Sequence, residues 1–387
     1  MRLFWITFAL VFGIVAKANT PLQKEVGNGP PIPESPNLAA TAYILIDARN
    51  GELLVEHNAD EPLPPASLTK MMTAYIAERE ISEGRASLED MVPVSVNAWK
   101  TGGSRMFIRE GTEVRLEDLL RGIIIQSGND ASVAVAEFLA GSEDVFADVM
   151  NKTATSLGMT NSMFRNSTGL PQDGHLMTAR DLSVLAQRII LDFPQTYPIY
   201  KEKNFAFNGI KQANRNTLLF RDPTVDGLKT GHTEEAGYCL VASAERNGFR
   251  LISVVMGTAS EKIREQETSK LLKYGFRYFS GKTIFDSMQA LPKSERKVWF
   301  ADIENVALAP TNSMYVTLPL GRENSIEAVL DAPEALEAPL KAGDEVGTVK
   351  IVLGDRVLAE SPAAVAIDVP EGGLFKRFVD LILRLFA

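Results

Sequence analysis

The spacing of apolar residues changes along the chain, and each change predicts a different element. Ala42 to His57 carries two apolar runs that turn at Asn50-Gly51, which predicts a β-hairpin. Leu68, Met71, Met72, Tyr75 and Ile76 then recur at helical intervals, giving one buried helix face. Leu116 to Gln126 and Asp130 to Leu139 read as two further helices. Tyr238 to Ala244 and Arg250 to Met256 are Val-, Ile- and Leu-rich runs flanking Asn247-Gly248, a second hairpin signal. Glu261 to Phe276 reads as a closing helix. The two hairpin regions are expected to share one antiparallel sheet, with the intervening helices inserted between its strands. From about residue 281 the texture changes to short alternating runs, such as Lys297 to Phe300 and Ser313 to Leu318, separated by Pro, Gly and Asp. That pattern predicts a small β-sandwich.

Both ends are distinctive. Arg2 precedes an apolar run, Leu3 to Val15, too short to span a bilayer, and Ala16-Lys17-Ala18 is a small-x-small cleavage site. Residues 1–18 therefore read as a secretory signal. Losing Arg2 and Lys17 takes the net charge of −9 to about −11, a balance that disfavours nucleic acid. The single cysteine, Cys239, permits no internal disulfide. At the other end, Leu374 to Ala387 places Lys376, Arg377, Asp380 and Arg384 within one arc of about 100°. The rest of the helix surface is apolar. The segment is about 20 Å long against a hydrocarbon core of about 30 Å, so it is expected to lie in a membrane interface rather than cross it. Gly372-Gly373 reads as a flexible joint freeing it from the preceding domain; the competing reading is a terminal helix packed on the sandwich.

The chemistry lies in three short motifs. Ser67-Leu-Thr-Lys70 opens the first helix, with Ser67 at its N-cap position and Lys70 one turn on. A serine hydroxyl needs a base, and a lysine serves if burial and a second cation lower its pKa. Ser127-Gly-Asn129 breaks two helices; Gly128 permits the tight turn, Ser127 can relay a proton and Asn129 can hold an amide. Lys229-Thr-Gly231 closes a strand beside the second hairpin, where Lys229 supplies charge, Thr230 a hydroxyl for a carboxylate, and Gly231 a close backbone approach. Each fragment also occurs elsewhere, as Ser294-Glu-Arg-Lys297, Ser95-Val-Asn97 and Lys100-Thr-Gly102. Those copies lack the core-backed helix, the helix break or the flanking strands; the Ser95 to Ser104 stretch reads as an exposed loop.

The three motifs, in this order, resemble the penicillin-recognising serine enzymes. Val225 to His232, Gly237-Tyr238 and Thr178 to Asp181 extend the likeness to the low-molecular-mass penicillin-binding proteins, in their serine-type D-alanyl-D-alanine carboxypeptidase branch. The resemblance implies an α/β transpeptidase/β-lactamase-like domain, with an antiparallel sheet and helical insertion, over residues 19–280. A β-sandwich over 281–370 and an amphipathic anchor over 371–387 complete the expected organisation. It implies Ser67 as the acylated nucleophile and Lys70 as its base, with Ser127, Asn129, Lys229 and Thr230 completing the site. The backbone N–H groups of Ser67 and His232 would form the oxyanion hole, beside Gly231, and Arg264 and Arg215 would lie near the substrate carboxylate. The substrate would be a peptidoglycan pentapeptide ending in D-Ala-D-Ala, with β-lactams as covalent inhibitors. The C-terminal helix would hold the enzyme on lipid at the outer face of the inner membrane, in the periplasm.

The rival readings are a β-lactamase, a D,D-endopeptidase, and a catalytically silent wall-binding scaffold. Gly128 stands where class A β-lactamases carry Asp, and Asn166 to His175 contains no Glu-x-x-Leu-Asn stretch. Asp181 is read as starting a helix and His175 as dressing a loop. His57, His175 and His232 show no ligand spacing, so neither a metal nor another cofactor is expected.

Overall fold

The computed structural model describes residues 21–22 and 32–385. The secretory signal expected at 1–18 lies outside the described residues. A five-stranded sheet runs in the order Leu53–His57, Ala42–Asp47, Phe249–Thr258, Gly237–Arg246, Val225–Thr233, every pair antiparallel. The expected α/β architecture with a helical insertion is therefore present. Both hairpin turns adopt the backbone their residues favour: Gly51 has φ +71°, and Asn247 and Gly248 have φ +51° and +77°.

The strands read as nearly continuous apolar runs because both sheet faces are covered. Ile44, Ile46, Val241, Ile252 and Val254 face the inserted helices, including Lys70–Ser82, Leu116–Ile125 and Asn129–Ala140. Their neighbours in sequence, Leu45, Leu240, Ala242, Leu251 and Val255, face the closing helix Glu261–Tyr278. Period-two alternation thus feeds two cores rather than one core and solvent.

That second core does not stop at the closing helix. Strand Phe279–Phe285 leaves it directly and pairs with Met314–Pro319. Met314, Val316, Leu318, Val349, Ile351 and Leu358 share the cluster with the sheet. Polar contacts reinforce the join. Asp47 accepts hydrogen bonds from Tyr315 (2.8 Å) and Thr317 (2.6 Å), and partly buried Arg356 pairs with buried Glu52. The remaining small strands form a three-stranded and a four-stranded sheet around a third cluster that includes Val298, Leu336, Leu308 and Val365.

Two expectations are corrected. Ser95 to Lys100 is not a loop: Val96–Lys100 is a short helix capped by the Ser95 hydroxyl, which accepts from the Ala98 N–H at 3.0 Å. Glu137 also takes hydrogen bonds from Ser95 and Asn97, which explains why this Ser-x-Asn copy is structural. Second, the terminal helix Leu374–Arg384 is docked on the β domain rather than freed from it. Asp380 is buried and accepts from the Phe300 N–H (2.8 Å) and from Lys376 (2.8 Å). Arg384 pairs with Glu337, and Gly372 donates its N–H to the Phe300 carbonyl (2.7 Å). Gly372 is needed for packing, since a Cβ there would stand 3.0 Å from the Ala301 backbone. The helix is thus inverted relative to an ordinary surface helix. Its charged arc faces protein, while Leu374, Phe375, Phe378, Leu381, Ile382, Leu383 and Leu385 are 41–85 % exposed.

Candidate active site

The first motif sits at the junction of a 3₁₀ turn, Ala66–Thr69, and the helix Lys70–Ser82. Ser67 is not an N-cap: Pro65 holds that position, and no side chain caps the turn. The reason is local. Ala66 has φ +49°, so the chain enters the helix through a tight turn with Ser67 inside it. The buried face Leu68, Met71, Met72, Tyr75 and Ile76 fixes the helix against the core, as its periodicity predicts. Lys70 is fully buried, and its Nζ lies 3.1 Å from Ser67 Oγ.

Lys70 Nζ also donates to the Thr168 carbonyl at 2.5 Å. That carbonyl belongs to a loop organised by Asn166, whose Oδ1 accepts from the N–H groups of Thr168 (3.1 Å) and Gly169 (2.7 Å). Gly169 has φ +80°, and a Cβ on it would overlap the Ala66 carbonyl at 1.8 Å, so the loop lies directly against the turn carrying Ser67. His175 does more than dress this loop. It is buried, its Nε2 is 2.9 Å from Thr69 Oγ1, and its ring meets Phe164 edge-on. Thr69 donates its own proton to Ala66 O, so His175 must donate from Nε2. Burial pushes its pKa down to about 4, keeping it neutral. Asp181 takes the plainer role. It accepts from Asn161 and Ser162 in the first turn of Ala179–Asp192.

At the second motif the strained residue is Ser127 and not Gly128. Ser127 has φ +63° while Gly128 has φ −61°. A serine held in the left-handed region requires support from its surroundings, and Lys229 Nζ supplies part of it by donating to Ser127 Oγ at 2.8 Å. Asn129 begins the helix Asn129–Ala140, and its Nδ2 donates to Gly102 O at 2.6 Å. A Cβ on Gly103 would stand 2.6 Å from that nitrogen. Asn129 thus ties down the 102–104 loop, and Asp130 ties down its continuation by accepting from the N–H groups of Met106 (2.8 Å), Phe107 (2.8 Å) and Ile108 (3.2 Å).

The third motif lies on the edge strand Val225–Thr233. The close approach at Gly231 is to the protein's own turn: a Cβ there would be 2.8 Å from Pro65 O. His232 is exposed and stacks on Tyr238 at 4.0 Å, and the Arg264 guanidinium also lies over the Tyr238 ring, 5.9 Å from its centre. Glu261 pairs with Arg264 at 2.9 Å.

These elements enclose a cleft of about 220 Å³ lined by Ser67, Ser104, Ser127, Arg215, Thr230, Gly231, His232, Tyr238, Glu261 and Arg264. Lys70, Asn129 and Lys229 are buried behind its wall. The structure thus brings all ten sequence-predicted residues to one place. Ser104, Thr168 and Glu261 join them, as does Tyr238, whose Gly237-Tyr238 pair carries part of the resemblance. The sequence signals for the others are the Gly-Gly before Ser104 and the helix start at Glu261.

The two lysines set the electrostatics. Burial brings Lys70 from 10.5 to about 7, opposed by the carboxylates of Asp130 and Glu143. Lys229 is pushed well below its usual value, by burial first and then by Lys70, Arg215 and Arg264. The expected second cation therefore acts chiefly on Lys229, and desolvation alone dominates at Lys70. A buried amine at such a pKa can take a proton near neutral pH. The Ser294 copy does something different: its hydroxyl is buried, shares its one proton between Leu291 O (2.8 Å) and Leu308 O (3.0 Å), and accepts from Leu308 N.

Residues 30–260 match the family model described as D-alanyl-D-alanine carboxypeptidase. The chain belongs to this family. Residues 279–371 match the model of the penicillin-binding protein 5 C-terminal domain. The D-alanyl-D-alanine carboxypeptidase DacA of Escherichia coli K12 is 43% identical over 364 residues, 92% of this chain and 90% of that protein. Penicillin-binding protein 5 of Haemophilus influenzae superposes with a TM-score of 0.79 at 38% identity, over 88% of this chain and 100% of that one. Penicillin-binding protein D2 of Listeria monocytogenes, solved with ampicillin bound, gives 0.58 at 32% identity over 62% of this chain and 100% of that one. In this chain the second core and the docked helix place the cleft and the apolar helix face on one continuous body.

Proposed function

We propose that this protein is a serine-type D-alanyl-D-alanine carboxypeptidase that removes the terminal D-alanine from peptidoglycan stem peptides. The observation that carries the reading is the Ser67–Lys70 pair: a fully buried amine, 3.1 Å from the hydroxyl, with its pKa near 7. Ser67 Oγ attacks the carbonyl carbon of the penultimate D-alanine while Lys70 takes its proton. The oxyanion is held by the N–H groups of Ser67 and His232, which the close packing at Gly231 brings together. Ser127, bonded to Lys229, passes its proton to the leaving amine and is reprotonated by the proton that Lys70 took from Ser67, and D-alanine departs. Thr230, Arg264 and Arg215 hold its carboxylate. Water then cleaves the ester and restores Ser67. Asn129 fixes the 102–104 loop that forms the opposite wall.

β-Lactams present a strained amide to the same serine. Their ester should turn over slowly. The loop facing Lys70 offers a carbonyl, Thr168 O, where a dedicated β-lactamase needs a base for water. The carboxypeptidase relatives, matched over nine-tenths of their length, support exopeptidase action over the β-lactamase, endopeptidase and scaffold readings.

Residues 19–280 are assigned to catalysis, 281–370 to the sandwich and 371–387 to a membrane anchor, with export to the periplasm directed by residues 1–18. The anchor reading draws on the six exposed apolar side chains of Leu374–Arg384 and on Leu385 just after it. That helix is about 16 Å long, too short to span. Lys376, Arg377 and Arg384 remain part-exposed at its flanks, where anionic headgroups would meet them.

The test uses a pentapeptide ending in D-Ala-D-Ala and, separately, benzylpenicillin. The purified protein should release D-alanine and gain one covalent adduct at Ser67. A protein that releases none, or whose adduct persists in Ser67→Ala, refutes the assignment.

A further inference from the structure

The active cleft does not end at the arginines. A second hollow of about 290 Å³ is lined by Gln212, Ala213, Asn214, Arg215, Thr217 and Glu261. It shares Arg215 and Glu261 with the catalytic cleft. Its lining is polar except for Ala213, and it opens beyond the groups that hold the terminal carboxylate. Glu261 stands between the two hollows. Its side chain is 60 % exposed although it pairs at 2.9 Å with Arg264, which is 4 % exposed. Part of that carboxylate therefore remains free to meet a ligand.

We propose that the second hollow receives the side chain of the leaving D-residue, and that Glu261 sets its charge preference. The proposal builds on the carboxypeptidase reading above. A D-alanine methyl group leaves the hollow empty, whereas a longer D-residue fills it. With the terminal carboxylate bound, the charges of Arg215 and Arg264 are answered by substrate, and Glu261 keeps one edge on Arg264. The exposed edge of Glu261 then favours a basic leaving side chain over an acidic one. The bond chemistry is unchanged: the acyl group passes to Ser67 and the free D-amino acid leaves with its protonated amine. An ordinary helix-surface ion pair accounts for the Glu261–Arg264 contact alone, but predicts no substrate selectivity.

The experiment compares kcat/KM for three otherwise identical peptides ending in D-Ala-D-Ala, D-Ala-D-Lys and D-Ala-D-Glu. It uses the wild type, Glu261→Gln and Glu261→Lys, and the readout is the D-Lys to D-Glu ratio within each protein. One charge at about 7 Å across a partly hydrated pocket corresponds to about a fivefold to tenfold change. Glu261→Gln should slow D-Lys release and speed D-Glu release by about that factor each, shifting the ratio toward D-Glu by about 25- to 100-fold, and Glu261→Lys should shift it further. A ratio unchanged within about twofold overturns the proposal. So does a wild type that releases D-Ala but neither longer residue, since the hollow then receives no side chain. A wild type that releases no D-amino acid at all overturns the carboxypeptidase reading itself, and this proposal with it.

Discussion

Glu143 offers a way to move the charge state of Lys70 without touching Ser67. The Glu143 carboxylate accepts from the Ser167 N–H (3.0 Å) and hydroxyl (2.6 Å) and raises the pKa of Lys70 through space. Glutamine keeps an acceptor oxygen for Ser167 and removes the charge. Burial has brought Lys70 from 10.5 to about 7, a penalty on the ammonium of about 5 kcal/mol. At pH 7 about half of such amines are neutral, against about one in three thousand at the ordinary value. Acylation needs the neutral amine, so its rate should rise about tenfold per pH unit below pH 7 and level off above it. Loss of a nearby carboxylate disfavours the ammonium, so the pKa falls and the inflection moves to lower pH. A charge a few ångströms beyond contact contributes about 1–2 kcal/mol, or about one pH unit. Stopped-flow acylation by a fluorescent penicillin between pH 5.5 and 9 reads this directly. A flat profile, a rate still rising about tenfold per pH unit up to pH 9, or a shift to higher pH in Glu143→Gln would refute the assignment of Lys70 as the base.

The same burial makes Lys70 costly to the fold. Because its folded pKa lies below its unfolded one, the folded state binds fewer protons between about pH 7 and 10.5, and the penalty shrinks as pH rises through that window. Lys70→Met should therefore be inactive, and its Tm relative to wild type should fall between pH 6 and 9; a constant difference contradicts the depressed pKa. The two Ser-x-x-Lys copies should behave oppositely. Ser67→Ala abolishes the penicillin adduct with little loss of stability, since Ser67 caps no helix. Ser294→Ala keeps the adduct but costs about 1–3 kcal/mol by orphaning buried backbone groups, measured by urea unfolding. Truncation after Glu371 should leave an active enzyme that no longer sediments with anionic lipid vesicles. Asp380→Ala should still sediment, while its Phe300 amide exchanges faster with deuterium. Sedimentation of the truncated form, or an unchanged Phe300 amide, would count against the docked-anchor reading.

Local features of this protein were legible from local residues. The Asn50-Gly51 and Asn247-Gly248 turns, the helix face running from Leu68 to Ile76, and the reach of Lys70 to Ser67 depend on backbone geometry over a few positions. The two-sided burial of the strands was also present in their unbroken apolar runs. Motif order then separated Lys229 from Lys100 and Ser67 from Ser294.

Several features were decided only by the tertiary fold. Ser127 and Lys229 meet across 102 residues of chain, and Lys70 meets Thr168 across 98. The residue in the left-handed conformation is Ser127 because neighbours hold it there, although Gly128 adopts that region more readily on its own. The pKa of Lys70 near 7 belongs to its surroundings, since desolvation is a property of what packs around the amine. The terminal helix makes the point most directly. Its amphipathic spacing is the same whichever face is turned inward. The buried Asp380, receiving the Phe300 N–H, is what turns the charged face to protein and leaves the apolar face exposed. Periodicity fixes which residues share a face, but a face acquires its environment only from the partner surface, and that surface is assembled from residues distant in the chain.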